Sequence, residues 1–347
     1  MSPSSSAAPA PSFAHLLRLT DDTGVFEHAT HTVPRLEHGY CVDDVARALL
    51  VVLREPDPTP PVADLAVRYL AFLRYGMSGD GTMRNRMSHD RRWRDGPGTG
   101  DHWGRALWAL GTAVTDRPLT NRPSLADPAL PLFERAATQR SEWPRAMVHA
   151  GLGAAALLTE RPGHPAATAL LVDAARLLAA RPAAPSADVA QEGWPHGRLT
   201  YANATLPEVL LAAGDLLGED AWVAAGTAQL AWLLDVQTRD GHLSPTPAAG
   251  WEPGEPRPGF DQQPIEVAAL ADACVRAHRV TADAGWLAGL RMAVGWFLGD
   301  NDVGAPLYDP VTGGGHDGLT PEGTNANQGA ESTIAAISTL QHARRLL

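Results

Sequence analysis

Phe260-Asp261-Gln262-Gln263-Pro264-Ile265-Glu266 sets four polar side chains against the start of a helical run. From Val267 the chain reads Ala-Ala-Leu-Ala-Asp-Ala-Cys-Val-Arg-Ala, rich in helix formers, free of Gly and Pro, and too poor in polar residues to present a wet face. Pro264 suits a first helical position, where its missing N–H would have had no partner. The spacing predicts a buried helix with a polar cluster at its N-terminus, facing a loop mouth.

Five further segments open on a polar cluster and then turn small and apolar on every side. They are Tyr40-Cys41-Val42-Asp43-Asp44 to Leu53, Gly100-Asp101-His102-Trp103 to Val114, Pro144-Arg145 to Leu158, Tyr201-Ala202-Asn203 to Leu217, and Asn327-Gln328-Gly329-Ala330-Glu331 to Leu346. Between them run segments with an ordinary polar stripe: Phe13 to Leu19, Val62 to Tyr75, Pro128 to Arg140, Pro165 to Ala180, Asp220 to Gln237 and Ala282 to Leu298. A helix apolar all round is packed all round, whereas a striped one meets water on one face. Six of each in alternation predict an all-α (α/α)6 toroid, with the polar N-termini of the inner ring gathered at one end. The rival reading is an irregular helical domain or a solenoid. No alternating strand pair is evident. Three long Gly- and Pro-rich connections, Gly76 to Gly100, Arg239 to Phe260 and Gly299 to Gln328, lead into polar clusters, the usual place for binding loops.

A chain of 347 residues can bury one large core, and residues 13–347 read as a single domain behind a disordered Ser/Ala/Pro tail, residues 1–12. A net charge of -11 gives no general attraction for nucleic acid or an anionic membrane, and no apolar run approaches the roughly 18 residues of a span. Two cysteines, Cys41 and Cys274, make neither a disulfide framework nor a metal site, which fits a cytoplasmic protein. The sequence has no phosphate loop, nucleophile elbow or zinc motif, so it calls for no cofactor or metal, and His28 and His31 read as ordinary histidines.

Helix capping and the helix dipole explain one carboxylate per helix start: one of Asp43 and Asp44, Asp101 as an N-cap, Glu266 in a capping pair with Gln263. They do not explain Tyr, Trp, Arg, Gln and Asn crowded beside them at several starts. Two carboxylates from different inner helices could flank a glycosidic bond, one protonating the leaving oxygen and the other activating water. The candidates are Asp44, Asp101, Asp261 and Glu331. Candidate sugar-binding groups at the helix starts are His38, Tyr40, Asp43, Arg47, His102, Trp103, Arg105, Trp194, Tyr201, Asn203, Gln262, Gln263 and Glu266. The long connections add Asn85, Asp90, Trp93, Asp317, Asn325, Asn327 and Gln328. His149 reads as a satisfied core histidine, yet with His102 and His196 it would serve a sugar epimerase.

The stretches Leu19 to Gly24, His38 to Leu49, Gly104 to Gly111, Leu199 to Ala204, Phe260 to Glu266 and Asn325 to Thr333 together resemble a bacterial family of six-hairpin, glycosidase-like proteins. Its members are often labelled glycosyltransferases because they occur fused or adjacent to glycosyltransferase domains. The resemblance spans Phe13 to the C-terminus and implies the toroid, carbohydrate chemistry, an oligosaccharide or glycoside substrate and a glycosyltransferase encoded nearby. In that family an Asn follows the Asp pair where this chain has Val45, and an acidic residue stands near the place of His196. The leading expectation is an inverting glycoside hydrolase, with phosphorolysis open. The alternatives are a histidine-based epimerase and a non-catalytic saccharide-binding partner.

Overall fold

The computed structural model describes residues 8–179, 194 and 197–347, so Met1 to Ala7 of the expected tail and His196 lie outside the described residues. Twelve α-helices are present among the described residues. The inner ones are α2 (Val42–Arg54), α4 (Asp101–Val114), α6 (Pro144–Glu160), α8 (Thr205–Leu217), α10 (Pro264–Thr281) and α12 (Ala330–Leu346). The outer ones are α1 (Ala14–Leu19), α3 (Pro60–Gly76), α5 (Ala126–Ala136), α7 (Pro165–Ala179), α9 (Asp220–Val236) and α11 (Trp286–Leu298). Each inner helix packs on the next, and α12 closes the ring on α2. Each outer helix backs its inner partner, with α1 lying on α12.

Burial follows the sequence pattern that predicts this ring. Helix α4 buries every residue from Trp103 to Gly111, whereas α9 buries only Gly226, Gln229, Leu230 and Leu233. Helix α10 starts at Pro264, as its sequence predicts, whereas α8 at Thr205 and α12 at Ala330 start later than their polar clusters suggest. The polar residues before them belong to the loop mouth. The long connections also carry short antiparallel ladders, five pairs with two residues per strand. Two residues cannot show an alternation, which is why the sequence reading finds no strands. One ladder, Tyr40–Cys41 with Arg86–Met87, ties the entry to α2 to the loop before α4. No described helix is long and apolar enough to cross a membrane.

The tightest inner contact is between α4 and α6. A Cβ on Gly111 would lie 2.0 Å from the carbonyl oxygen of Gly153, and one on Gly104 would lie 2.2 Å from that of Ala146. Backbone meets backbone there, and no side chain can rotate to make room. Gly111→Ala is therefore expected to destabilise the fold by about 3 kcal/mol, the upper range for overpacking, measured as a lowered urea midpoint at unchanged slope. A loss under about 0.5 kcal/mol would mean that the helices slide apart freely.

Candidate active site

At the mouth of the ring the N-termini of α2, α4, α10 and α12 and the loop before α8 surround a cleft of about 560 Å³. Helix α2 starts unusually. Cys41 is its N-cap and accepts from the Asp44 N–H through Sγ at 3.3 Å, so neither Asp43 nor Asp44 is used as the cap. Both carboxylates are left to the cleft. Arg47, one turn on, reaches them from Nη2 at 2.6 Å (Asp43) and 2.7 Å (Asp44), while its Nη1 holds Glu331 of α12 at 2.7 Å. Oxygens of Asp43, Asp44 and Glu331 lie within 4.8 Å of one another, close enough to share a cation, and the Arg47 guanidinium supplies that charge.

The two adjacent carboxylates are driven in opposite directions. Burial pushes Asp44 up to about 7; Arg47 opposes the shift, and the Asp43 and Glu331 charges add to it. Burial acts on Asp43 too, but the arginines at positions 105 and 47 outweigh it and hold its carboxyl below the usual range. Arg105 Nε stands 2.7 Å from Asp43 Oδ1, an ion pair whose N–H is not aimed along the contact. Opposite them Asp101, at the first position of α4 after the N-cap Gly100, accepts the Tyr201 hydroxyl. The Tyr201 ring rests on the Arg145 guanidinium, 4.6 Å from its centroid, and is 38% exposed, so it offers a backed aromatic face. Asp317 accepts the Gly329 N–H at 2.7 Å, and burial raises its pKa. His102 donates Nε2–H to the Met83 carbonyl at 2.8 Å, which leaves Nδ1 as its acceptor.

The cleft thus gathers Asp43, Asp44, Arg47, Asn85, Asp101, His102, Arg105, Tyr201, Gln263, Asp317 and Glu331. Asn85 fixes the α2 start, its backbone carbonyl accepting from Val42 N–H at 2.9 Å. Other expected residues go elsewhere. Asp261 is exposed and does not line the cleft, because its neighbour Gln262 is pinned inward between Trp296 Nε1 at 2.9 Å and Asp302. Gln262 is therefore buried structure rather than a sugar contact. Glu266 forms no capping pair; it is buried and accepts from Asn203 N, Asn203 Nδ2 and Gln237 Nε2, tying α10 to the loop before α8 and consuming Asn203. Tyr40 is buried, stacks on Phe26 and donates to Asp21 at 2.6 Å.

The tryptophans also take structural places. Trp103 is fully buried, Trp93 packs on Phe72 and Tyr75, and Trp194 stacks on Trp232. Asp90 stands on an exposed turn with Arg92, and His38 packs edge-on against His28 outside the lining. The amides of the last loop are spent on the fold: Asn325 accepts from the Asn327 N–H and Asn327 from the His31 N–H, while Gln328 joins the Thr312 and Asp309 side chains. His149 is a core residue stacked on Trp108, its pKa forced far down by burial, but neither ring nitrogen has a partner among the described residues. Glu27 and Arg86, which have no motif in the sequence, also line the cleft, as does His28, expected to be an ordinary histidine. Their only sequence signal is their place in the loops flanking the Asp pair.

No protein-family model matches the chain, and no curated protein matches it in sequence. Solved structures do match in shape. A sugar epimerase from a ruminal bacterium superposes with a TM-score of 0.71 at 13% identity, covering 96% of this chain and 95% of that one. A D-mannose isomerase gives 0.70 at 12% identity over 96% and 95%. A metagenome-derived glycoside hydrolase family 9 endoglucanase gives 0.61 at 14% identity over 92% and 70%. The chain has the (α/α)6 toroid fold of six-hairpin enzymes. At such identities the likeness establishes the fold alone, so the chemistry rests on the cleft.

Arg47 is the cation shared by three carboxylates. Arg47→Ala is expected to cost about 3–5 kcal/mol at pH 8, where Asp44 and Glu331 lose their cation and Asp43 keeps only Arg105. Asp44, already pushed up to about 7 by burial, rises further without the Arg47 charge that opposes the shift, so lowering the pH toward 5 protonates it and shrinks the deficit. Urea unfolding at both pH values measures this; an equal deficit at both would remove charge crowding as the cause.

Proposed function

We propose that this protein cleaves glycosidic bonds by acid–base catalysis in the mouth of the toroid, with Asp44 as proton donor and Asp101 as the carboxylate that activates water. The observation carrying the reading is that one cleft holds Asp44, pushed up to about 7 by burial, and, on another inner helix, Asp101, which accepts the Tyr201 hydroxyl. Carboxyl groups in such different environments can serve as acid and base in one site at neutral pH. The Asp44 proton passes to the glycosidic oxygen as the bond to the anomeric carbon breaks. Asp101 takes a proton from water as the water oxygen bonds to that carbon. Attack from the opposite face inverts the anomer, and requires about 6.5–9.5 Å between the two carboxyl groups. Tyr201 offers the stacking face for a pyranose ring, and Asp317 and Gln263 offer hydroxyl partners. The sugar epimerase, isomerase and endoglucanase of the same fold support a saccharide as the ligand.

One observation favours a second reading, a sugar epimerase. The Met83 carbonyl fixes His102 in the tautomer whose Nδ1 can take a proton, and His102 lines the cleft. His149, fully buried, does not join it there.

The test is turnover of α- and β-linked oligosaccharides by wild type and variants. Asp44→Asn and Asp101→Asn are each expected to lower kcat about 10²–10⁴-fold. Because Asp44 must carry its proton, wild-type kcat should fall as pH rises through about 7. Loss of activity in His102→Ala with both Asn variants active, and a product isomeric with the substrate, would establish the epimerase instead. Saccharide binding without turnover would point to a binding partner of a glycosyltransferase.

A further inference from the structure

The cleft's charges define a substrate class within the saccharides, an inference that rests on the binding site proposed above. Among the described residues six carboxylates line it, those of Glu27, Asp43, Asp44, Asp101, Asp317 and Glu331, against three guanidiniums. All three guanidiniums are already ion-paired. Arg47 is held by Asp43, Asp44 and Glu331, Arg105 by Asp43, and Arg86 by Glu27. Asp101 takes its hydrogen bond from Tyr201, and Asp317 from the Gly329 N–H and Ser332, with His28 nearby; among the described residues neither is ion-paired with a guanidinium. A further arginine, Arg145, does not line the cleft: it stacks on the Tyr201 ring and bonds Thr200 and Asn203 through Nη2, while its Nη1 is buried without a hydrogen-bond partner among the described residues.

We propose that the cleft selects saccharides without acidic substituents, rejecting uronic acids and sugar phosphates, and that it excludes phosphate as an acceptor. A carboxylate or phosphate entering the cleft would displace no water from a waiting cation and would meet the Asp101 and Asp317 charges at short range. In a partly desolvated site such repulsion is not screened away. Neutral hydroxyls are matched to the same groups, since an ionised carboxylate accepts from a hydroxyl at no electrostatic cost.

The experiment pairs neutral α- and β-linked disaccharides with the same disaccharides oxidised at C6 to uronic acids, assayed with and without inorganic phosphate. The expected result is a kcat/KM at least about 100-fold higher on the neutral member, and reducing sugar rather than sugar phosphate as product. In Asp317→Asn, whose Oδ1 can still accept from Gly329 N–H, the ratio should narrow. Equal or faster turnover of the acidic member, or release of a sugar phosphate, overturns the inference while leaving glycosidic cleavage standing. If no disaccharide is turned over, cleavage fails and calorimetry with the same pairs and with inorganic phosphate decides the selectivity. No binding of the acidic members or phosphate sustains it, and their binding as tightly as the neutral members overturns it.

Discussion

Arg47 is where the architecture and the chemistry meet. It stands one turn into the first inner helix and reaches the last, so the salt bridge to Glu331 spans the seam where the ring closes. The same guanidinium sets the carboxylates beneath the mouth, pairing both Asp43 and Asp44. A single buried cation serving three anions must leave them unequal. Asp43 gains a second arginine, and Asp44 receives only a thiol hydrogen bond from Cys41, at 3.0 Å. The opposed pKa directions of two consecutive residues follow from that unequal share.

The same polar residue types serve two purposes at the inner-helix starts. Facing inward between helices, they are fully consumed: Glu266 takes three hydrogen bonds from Asn203 and Gln237, and Gln262 is held by Trp296 and Asp302. Facing the mouth, they keep open valences, as Asp101 and Gln263 do. Most buried polar groups are satisfied within the fold, and such satisfaction marks Glu266 and Gln262 as structural; His149, buried without a partner among the described residues, is an exception.

This division also explains how much could be read from sequence. The twelve helices and their alternation were legible because burial on all sides and burial on one side leave different residue patterns. The gathering of Asp43, Asp44, Asp101 and Glu331 followed from the ring once the helix starts were placed. What was not legible was the rotation of each start. Asp261 and Gln262 are adjacent and equally polar, yet a backbone bridge from Gln262 to Leu319 sends one inward and leaves the other in solvent. Trp93, Trp103 and Trp194 suit a sugar platform by composition, and only the packing shows them spent on the core. Glu27 and His28 come from a loop with no periodicity to read, brought to the cleft by the ladders around it.

The glycine contact between α4 and α6 makes stiffness uneven around the ring. Where two main chains touch, as at Gly111 and Gly153, displacement is resisted by covalent geometry rather than by rotamers. Asp101, His102, Arg105 and Arg145 thus ride on one plate, their mutual spacing fixed mechanically. Across the α12–α2 seam the long Arg47 side chain sets the spacing, and it adjusts by torsion. One wall of the mouth works as an anvil and the other as a spring, so a ligand that strains the site registers on the Arg47 side first.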